Sequence, residues 1–223
     1  MDAKLFCQAI SKFIIGLVMV GVLIFLPAGS FMYWQGWLLI GILFVPMFIA
    51  GLIMMKKSPE LLRKRLNEKE EETEHKTVIM LSGIMFLAAF VVAGLNFRFG
   101  WIVLQEWVSY AGAIIFLAAY ALYAEVLREN AYLSRTVEVQ QDQKVIDTGL
   151  YGVVRHPMYM STLLLFLAMP LVLGSIISFV ITLAYIPIIA KRIGNEEKVL
   201  EDGLPGYAEY KNKVKRKVVP FIW

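Results

Sequence analysis

Cysteine and histidine are nearly absent from this 223-residue chain, which has one cysteine, Cys7, and two histidines, His75 and His156. A single thiol excludes an intrachain disulfide and a Cys-rich metal centre, and two histidines in unrelated contexts argue against a zinc-type catalytic site. Charge is scarce too. Asp, Glu, Lys and Arg make up 18% of the residues against 59% hydrophobic, and the mean hydropathy is +0.65. Those values lie outside the range of soluble domains and imply an integral membrane protein. The net charge of +4 is uninformative as a sum, and no nucleic-acid partner is expected from it. No repeat, low-complexity linker or separate soluble domain is present, so any chemistry must use membrane helices and the segments beside them.

Six apolar runs are present: Phe13 to Ala28, Trp37 to Met55, Val78 to Leu95, Val108 to Leu127, Met158 to Leu173 and Ser175 to Ala190. A bilayer core takes roughly 20 helical residues, so the expected fold is all-α and polytopic, with about six membrane segments. The first run has a basic start, as a signal peptide does, but Pro27-Ala28-Gly29-Ser30 is a poor cleavage site and a retained span is expected. Little more than Leu173-Gly174-Ser175 separates the last two runs, which predicts a helical hairpin over 158–190. Each arm is about 24 Å long at 1.5 Å per residue, short of a hydrocarbon layer of roughly 30 Å. Pro46, Pro170 and Pro187 fall inside runs, where a missing amide donor bends a helix. The chain thus divides into a four-helix membrane region, 1–127, and a region 128–223 that adds a polar segment, the hairpin and a C-terminal tail.

Orientation follows from the cations. If six segments alternate, every Lys and Arg except Arg98 falls on one side, together with both termini. The positive-inside rule makes that side cytoplasmic. The opposite loops carry Tyr33, Trp34, Trp37, Trp101, Trp107 and Tyr110, read as an interfacial aromatic belt. The run Glu68 to Lys76 has helical composition and no apolar face, so it reads as a solvated connector and His75 as no ligand.

Arg98 and Glu106 are the sole ionisable groups of the outer loops, whereas Asn130 to Tyr159 and Lys191 to Pro220 flank the hairpin and are brought together by it. The entering segment contains Gly149-Leu150-Tyr151-Gly152 and Arg155-His156-Pro157-Met158-Tyr159. Its glycines permit tight turns, and Pro157 suits the first turn of a helix whose amide end attracts anions beside His156. In the exiting segment Arg192 and Glu196 stand four residues apart and share a helix face; by that spacing alone they would be a modest stabilising pair. Farther on, Tyr207, Tyr210, Val214 and Val218 form one apolar face among Lys211, Lys213, Lys215, Arg216 and Lys217, which predicts an interfacial amphipathic helix.

The ordered set Gly149-Leu150-Tyr151-x3-Arg155-His156-Pro157-x-Tyr159, a short hairpin, Arg192-x3-Glu196-Glu197-x2-Leu200, and Gly206-Tyr207-x2-Tyr210-x3-Val214-x-Arg216-x3-Pro220 resembles the isoprenylcysteine carboxyl methyltransferase family, which is related to the phospholipid methyltransferases. The resemblance covers roughly Asn130 to Trp223. It implies an S-adenosylmethionine pocket built from the hairpin and tail, without a Rossmann domain. It further implies cofactor contacts at Gln143, Lys144, Val145, Ile146, Tyr151, His156, Pro157, Met158, Tyr159 and Glu196, and a substrate role for Arg192. A glutamine used by some relatives falls on Thr136, with Gln140 or Gln141 nearby. Arg192 and Glu196 are the expected catalytic pair, no metal is expected, and the acceptor is expected to be lipophilic, in contact with membrane lipids. A carboxylate acceptor is ionised at neutral pH and needs no general base. Two rivals remain at this point. One is a phospholipid or amine N-methyltransferase, in which Glu196, Glu197 or His156 would take a proton; the other is a non-enzymatic scaffold or transporter subunit, disfavoured because no ionisable residue lies at the middle of a span.

Overall fold

A computed structural model describes residues 3–66, 73–130, 132–133 and 139–223. Thr136 and the side chain of His75 lie outside the described residues. The described chain is helical throughout: α1 is Ala3–Ala28, α2 Trp34–Lys57, α3 Pro59–Leu66, α4 Thr73–Phe99, α5 Glu106–Glu129, α6 Pro157–Val172, α7 Ile176–Thr182, α8 Tyr185–Gly203 and α9 Tyr207–Lys213. Five stretches are long and apolar enough to cross a membrane, and α6 is a shorter apolar helix. The all-α polytopic expectation therefore holds; of the two short hairpin arms expected, the first is the short helix α6, and the second is part of the 28-residue stretch Ile176–Gly203.

Individual residues explain the helix boundaries. Pro187 has no amide to offer the Leu183 carbonyl, and the helix of the last apolar run breaks there. The Leu183 carbonyl instead accepts from Ile186 at 3.0 Å, a tighter turn between α7 and α8. Pro46 and Pro170 are carried inside α2 and α6 without ending them. The hairpin turns at Gly174, whose φ of +67° suits glycine, and Ser175 caps α7 by accepting from the Ser178 amide.

Packing follows small residues, as expected where lipid is as apolar as the helix surface. A Cβ on Gly112 of α5 would come within 2.8 Å of the Val172 backbone nitrogen in α6. That close approach makes α5 and α6 a tight pair, and α1 seats on α4. Tyr33 departs from the aromatic-belt expectation: it is buried, stacks on Phe97 with ring centroids 4.3 Å apart, and donates its hydroxyl to the Leu173 carbonyl. It pins the hairpin tip instead of marking an interface, whereas Trp37, Trp101, Trp107 and Tyr110 are exposed.

The tail also differs from the reading above. Its helix stops at Lys213, and Tyr207, Tyr210, Val214 and Val218 are all buried in the protein instead of facing lipid. Tyr207, Tyr210 and Val214 pack with Leu204, Val139 and Val145, and Val218 packs with Ile189 and Ile193 of α8. Past α9 the chain runs alongside the entry to α6, where the Arg155 amide donates to the Arg216 carbonyl at 2.9 Å and the His156 amide to the Lys217 carbonyl at 2.8 Å. An extended strap satisfies those amides, and a continuing helix could not.

Candidate functional site

The charged end of the bundle holds a cleft where the 139–156 segment, the start of α6, the charged turns of α8, and α9 meet. Gln143, Lys144, Val145, Ile146, Tyr151, His156, Met158, Tyr159, Arg192 and Glu196 all line it. Those residues span 53 positions of sequence, and the hairpin with the returning tail collects them. Pro157 does not line the cleft. It is buried at the first turn of α6, where its fixed φ sets the direction in which Met158 and Tyr159 leave.

The floor is built from turn chemistry. Gly149 begins a 3-10 turn, Gly149–Gly152, with φ +54°, and a Cβ there would lie 1.8 Å from a Glu129 carboxylate oxygen. That carboxylate, at the end of α5, accepts from the Leu150 amide at 3.0 Å. The turn then presents Tyr151, whose hydroxyl accepts from the Asn130 amide group at 2.9 Å and whose carbonyl accepts from the Tyr210 hydroxyl at 2.7 Å. Burial raises the Tyr151 and Tyr210 hydroxyls above their ordinary titration range, so both remain neutral donors.

The reactive edge is organised by Tyr159. Arg192 Nε donates to the Tyr159 hydroxyl at 3.1 Å, and that hydroxyl donates to a Glu196 carboxylate oxygen. The two side chains that share a face of α8 are thus linked through a residue of α6, with the phenol between cation and anion. Glu196 Oε1 lies 3.8 Å from His156 Nδ1.

Behind this edge lies Glu197, past the apolar run that ends at Ala190. Its carboxylate takes Arg155 Nε at 2.8 Å, His156 Nε2 at 3.2 Å and Lys217 Nζ at 3.1 Å. Burial pushes this carboxyl upward, but the hydrogen bonds from His156 and Arg155, aided by Lys217, outweigh it and hold the group well below the usual carboxylate range. Arg155 also donates from Nη1 to the Val214 carbonyl at 2.7 Å. Glu197 therefore joins α8, the entry to α6 and the tail strap. His156, engaged by Glu197 and facing Glu196, is oriented between two glutamates; the positive features left facing the cleft are Lys144, Arg192 and the amide end of α6.

Sequence reasoning missed several members of this site. Asn130, Tyr132, Leu133, Arg155, Leu200, Leu204, Tyr207 and Tyr210 also line the cleft. Tyr207 and Tyr210 carried a signal, their shared face, which was read as lipid-facing. Gln140 donates from its side chain to the Tyr132 carbonyl, and Gln141 is exposed outside the cleft lining.

A second opening, about 1030 Å3, adjoins the cleft between α4, α6 and α8. Val78, Ile79, Phe86, Phe166, Tyr185 and Ile189 are among its walls, and it shares Met158, Tyr159 and Arg192 with the polar cleft. The polar cleft and the apolar groove therefore adjoin at these three residues.

Residues 110–202 match the profile of the isoprenylcysteine carboxyl methyltransferase (ICMT) family. That stretch contains every site residue singled out from the sequence, and the motif resemblance holds across it. The fold is similar to that of the eukaryotic intramembrane Ras methyltransferase ICMT (isoprenylcysteine carboxyl methyltransferase), solved without a monobody, with a TM-score of 0.51 and 17% identity over 85% of this chain and 74% of that one. No curated protein matches the chain.

Proposed function

We propose that this chain, which carries the isoprenylcysteine carboxyl methyltransferase family region at residues 110–202, is a membrane enzyme that methylates the carboxylate of an isoprenylcysteine-like lipophilic acceptor with S-adenosylmethionine. The observation that carries this reading is the shared wall of Met158, Tyr159 and Arg192 between the polar cleft and the apolar groove. A hydrophilic donor in the cleft and a lipophilic acceptor in the groove would meet where the two openings adjoin. With both termini cytoplasmic, the donor enters from the cytoplasm and the acceptor slides in between helices.

The cleft suits the proposed cofactor. The Tyr207 hydroxyl is buried at its edge without a hydrogen-bond partner, an orphan that a polar ligand would satisfy. Glu196 fits an ammonium, Lys144 and the start of α6 fit a carboxylate, and Tyr151 with Val145, Ile146 and Met158 fits an aromatic base. When bound, S-adenosylmethionine supplies an electrophilic methyl group on a sulfonium.

Arg192 orients the acceptor carboxylate, held by Tyr159 so that its guanidinium faces the shared wall. The acceptor is ionised at neutral pH, so no residue has to remove a proton. Alignment and exclusion of water then dominate the rate. The deciding experiment supplies methyl-labelled cofactor with prenylcysteine and phospholipid acceptors to membranes containing the protein. The expected product releases volatile methanol in alkali; an alkali-stable product would assign the enzyme to N-methylation instead. Arg192→Ala and Glu196→Ala are expected to abolish turnover, and near-wild-type rates in both would overturn the assignment.

A further inference from the structure

A separate apolar chamber lies between α1, α2 and α5 at the charged end of the bundle. The α3 helix covers it: Leu62 is buried there, and Lys12 Nζ donates to the Leu66 carbonyl at 2.8 Å, tying α1 to the end of α3. Phe13, Met47, Met55, Tyr120 and Leu127 supply much of the remaining surface. Lys12 is the one charged group among the described lining residues, and its ammonium is already engaged. The chamber thus offers hydrocarbon contact and no place for a phosphate headgroup.

Tyr123 of α5 lines both this chamber and the acceptor groove. The main partners of α4 are α1, α7 and α8, whereas those of α5 are α6 and α2. Tyr123 is the one described residue that the two linings share. Resting on the acceptor site proposed above, we propose that groove and chamber form one bipartite site for a long isoprenoid chain, with Tyr123 as the partition that sets how much of the chain end is admitted. The occupant is the distal end of the acceptor itself. Continuity through Tyr123 and the lack of a headgroup site favour it over a resident phospholipid.

The test uses the full chain in nanodiscs and S-prenylcysteine acceptors of two, three and four isoprene units. A Cβ added at Gly51, on the chamber wall, meets nothing within 4 Å, so Gly51→Phe fills the chamber without a backbone clash. Gly51→Phe and Tyr123→Trp are expected to lower the kcat/KM ratio of the four-unit to the two-unit acceptor by about tenfold or more, and Tyr123→Ala to raise it. An unchanged ratio in all three variants would overturn the proposal. A second readout does not require turnover: a photoreactive group on the terminal isoprene of the four-unit acceptor should label the α2 segment around Gly51, in wild type and in Arg192→Ala. Labelling confined to α4 and α8 would sink the chamber, as would labelling by a photoreactive phospholipid that the acceptor fails to displace. Labelling of α2 without methylation of any acceptor would leave the chamber standing and remove the methyltransferase reading.

Discussion

Arg155 and Glu197, 42 positions apart, meet in a buried pair in which Nε and Nη2 of the guanidinium both lie 2.8 Å from the same carboxylate oxygen. The same arginine holds the Val214 carbonyl. Removing the carboxylate strands a buried cation and releases Lys217 of the tail strap. Glu197→Ala is expected to lower stability by about 3–5 kcal/mol, read as a lower unfolding midpoint of the purified protein. Weaker cofactor binding should accompany it, because Arg155, which lines the cleft, loses its anchor.

The titration of Glu197 gives this pair a pH signature. Its folded-state carboxyl is held below the ordinary value of 4.5, so the unfolded chain binds the proton more readily and the stabilisation is complete above that value. It declines as the pH falls below the ordinary carboxylate range toward the depressed folded value. Thermal unfolding between neutral and acidic pH should show the wild-type midpoint dropping over that lower window, with a shallower slope in Glu197→Gln.

Tyr159 connects Arg192 to Glu196, and its hydroxyl can be removed without changing the ring. Tyr159→Phe leaves both charged side chains in place but unregistered with respect to each other. A displacement of about 1 Å costs up to roughly 100-fold in rate, so kcat should fall by about 10- to 100-fold while KM for the acceptor changes less. An unchanged kcat would show that the bridge has no role in alignment.

Tyr207→Phe separates folding from binding. The hydroxyl is buried without a partner, and an unsatisfied buried polar atom costs about 1–3 kcal/mol. Without ligand the variant should therefore be at least as stable as wild type. Cofactor binding, measured by calorimetry, should weaken by about tenfold if this hydroxyl gains its partner from the ligand.

Gly149→Ala tests the floor of the cleft. The new methyl group would occupy the space of the Glu129 carboxylate, and φ there is +54°. A cost of about 1–3 kcal/mol is expected from the strained backbone alone. The double variant with Glu129→Ala should be less unstable than the sum of the two single changes, as contacting residues are; strict additivity would rule out the contact.

How much of this was legible beforehand depends on the range of the contact. The apolar runs and the hairpin follow from local pattern, whereas the set from Gln143 to Glu196 is what the family resemblance implies, and all of it but Pro157 lines the cleft. Glu129 carried no motif because its partner, the Leu150 amide, lies 21 residues away and belongs to a turn. The face of Tyr207 and Tyr210 was visible, but apolar periodicity does not distinguish lipid from protein as its covering. Tyr33 was misread for the same reason: an aromatic side chain near a helix end looks alike at an interface and beneath a hairpin tip. Glu197 was overshadowed by Glu196, since adjacent positions on a helix point to different neighbours and only the second meets Arg155.

The backbone pairing of Arg155 and His156 with Arg216 and Lys217 has a consequence during biosynthesis. The entry to α6 can pair its amides only once Arg216 and Lys217, beyond the last helix, have been made, so this junction is among the last contacts the chain can form. A product ending before Val214 would keep the cleft lining from Asn130 to Tyr210 but lack the carbonyls that take the Arg155 and His156 amides and the Arg155 guanidinium, leaving the entry to α6 unsupported.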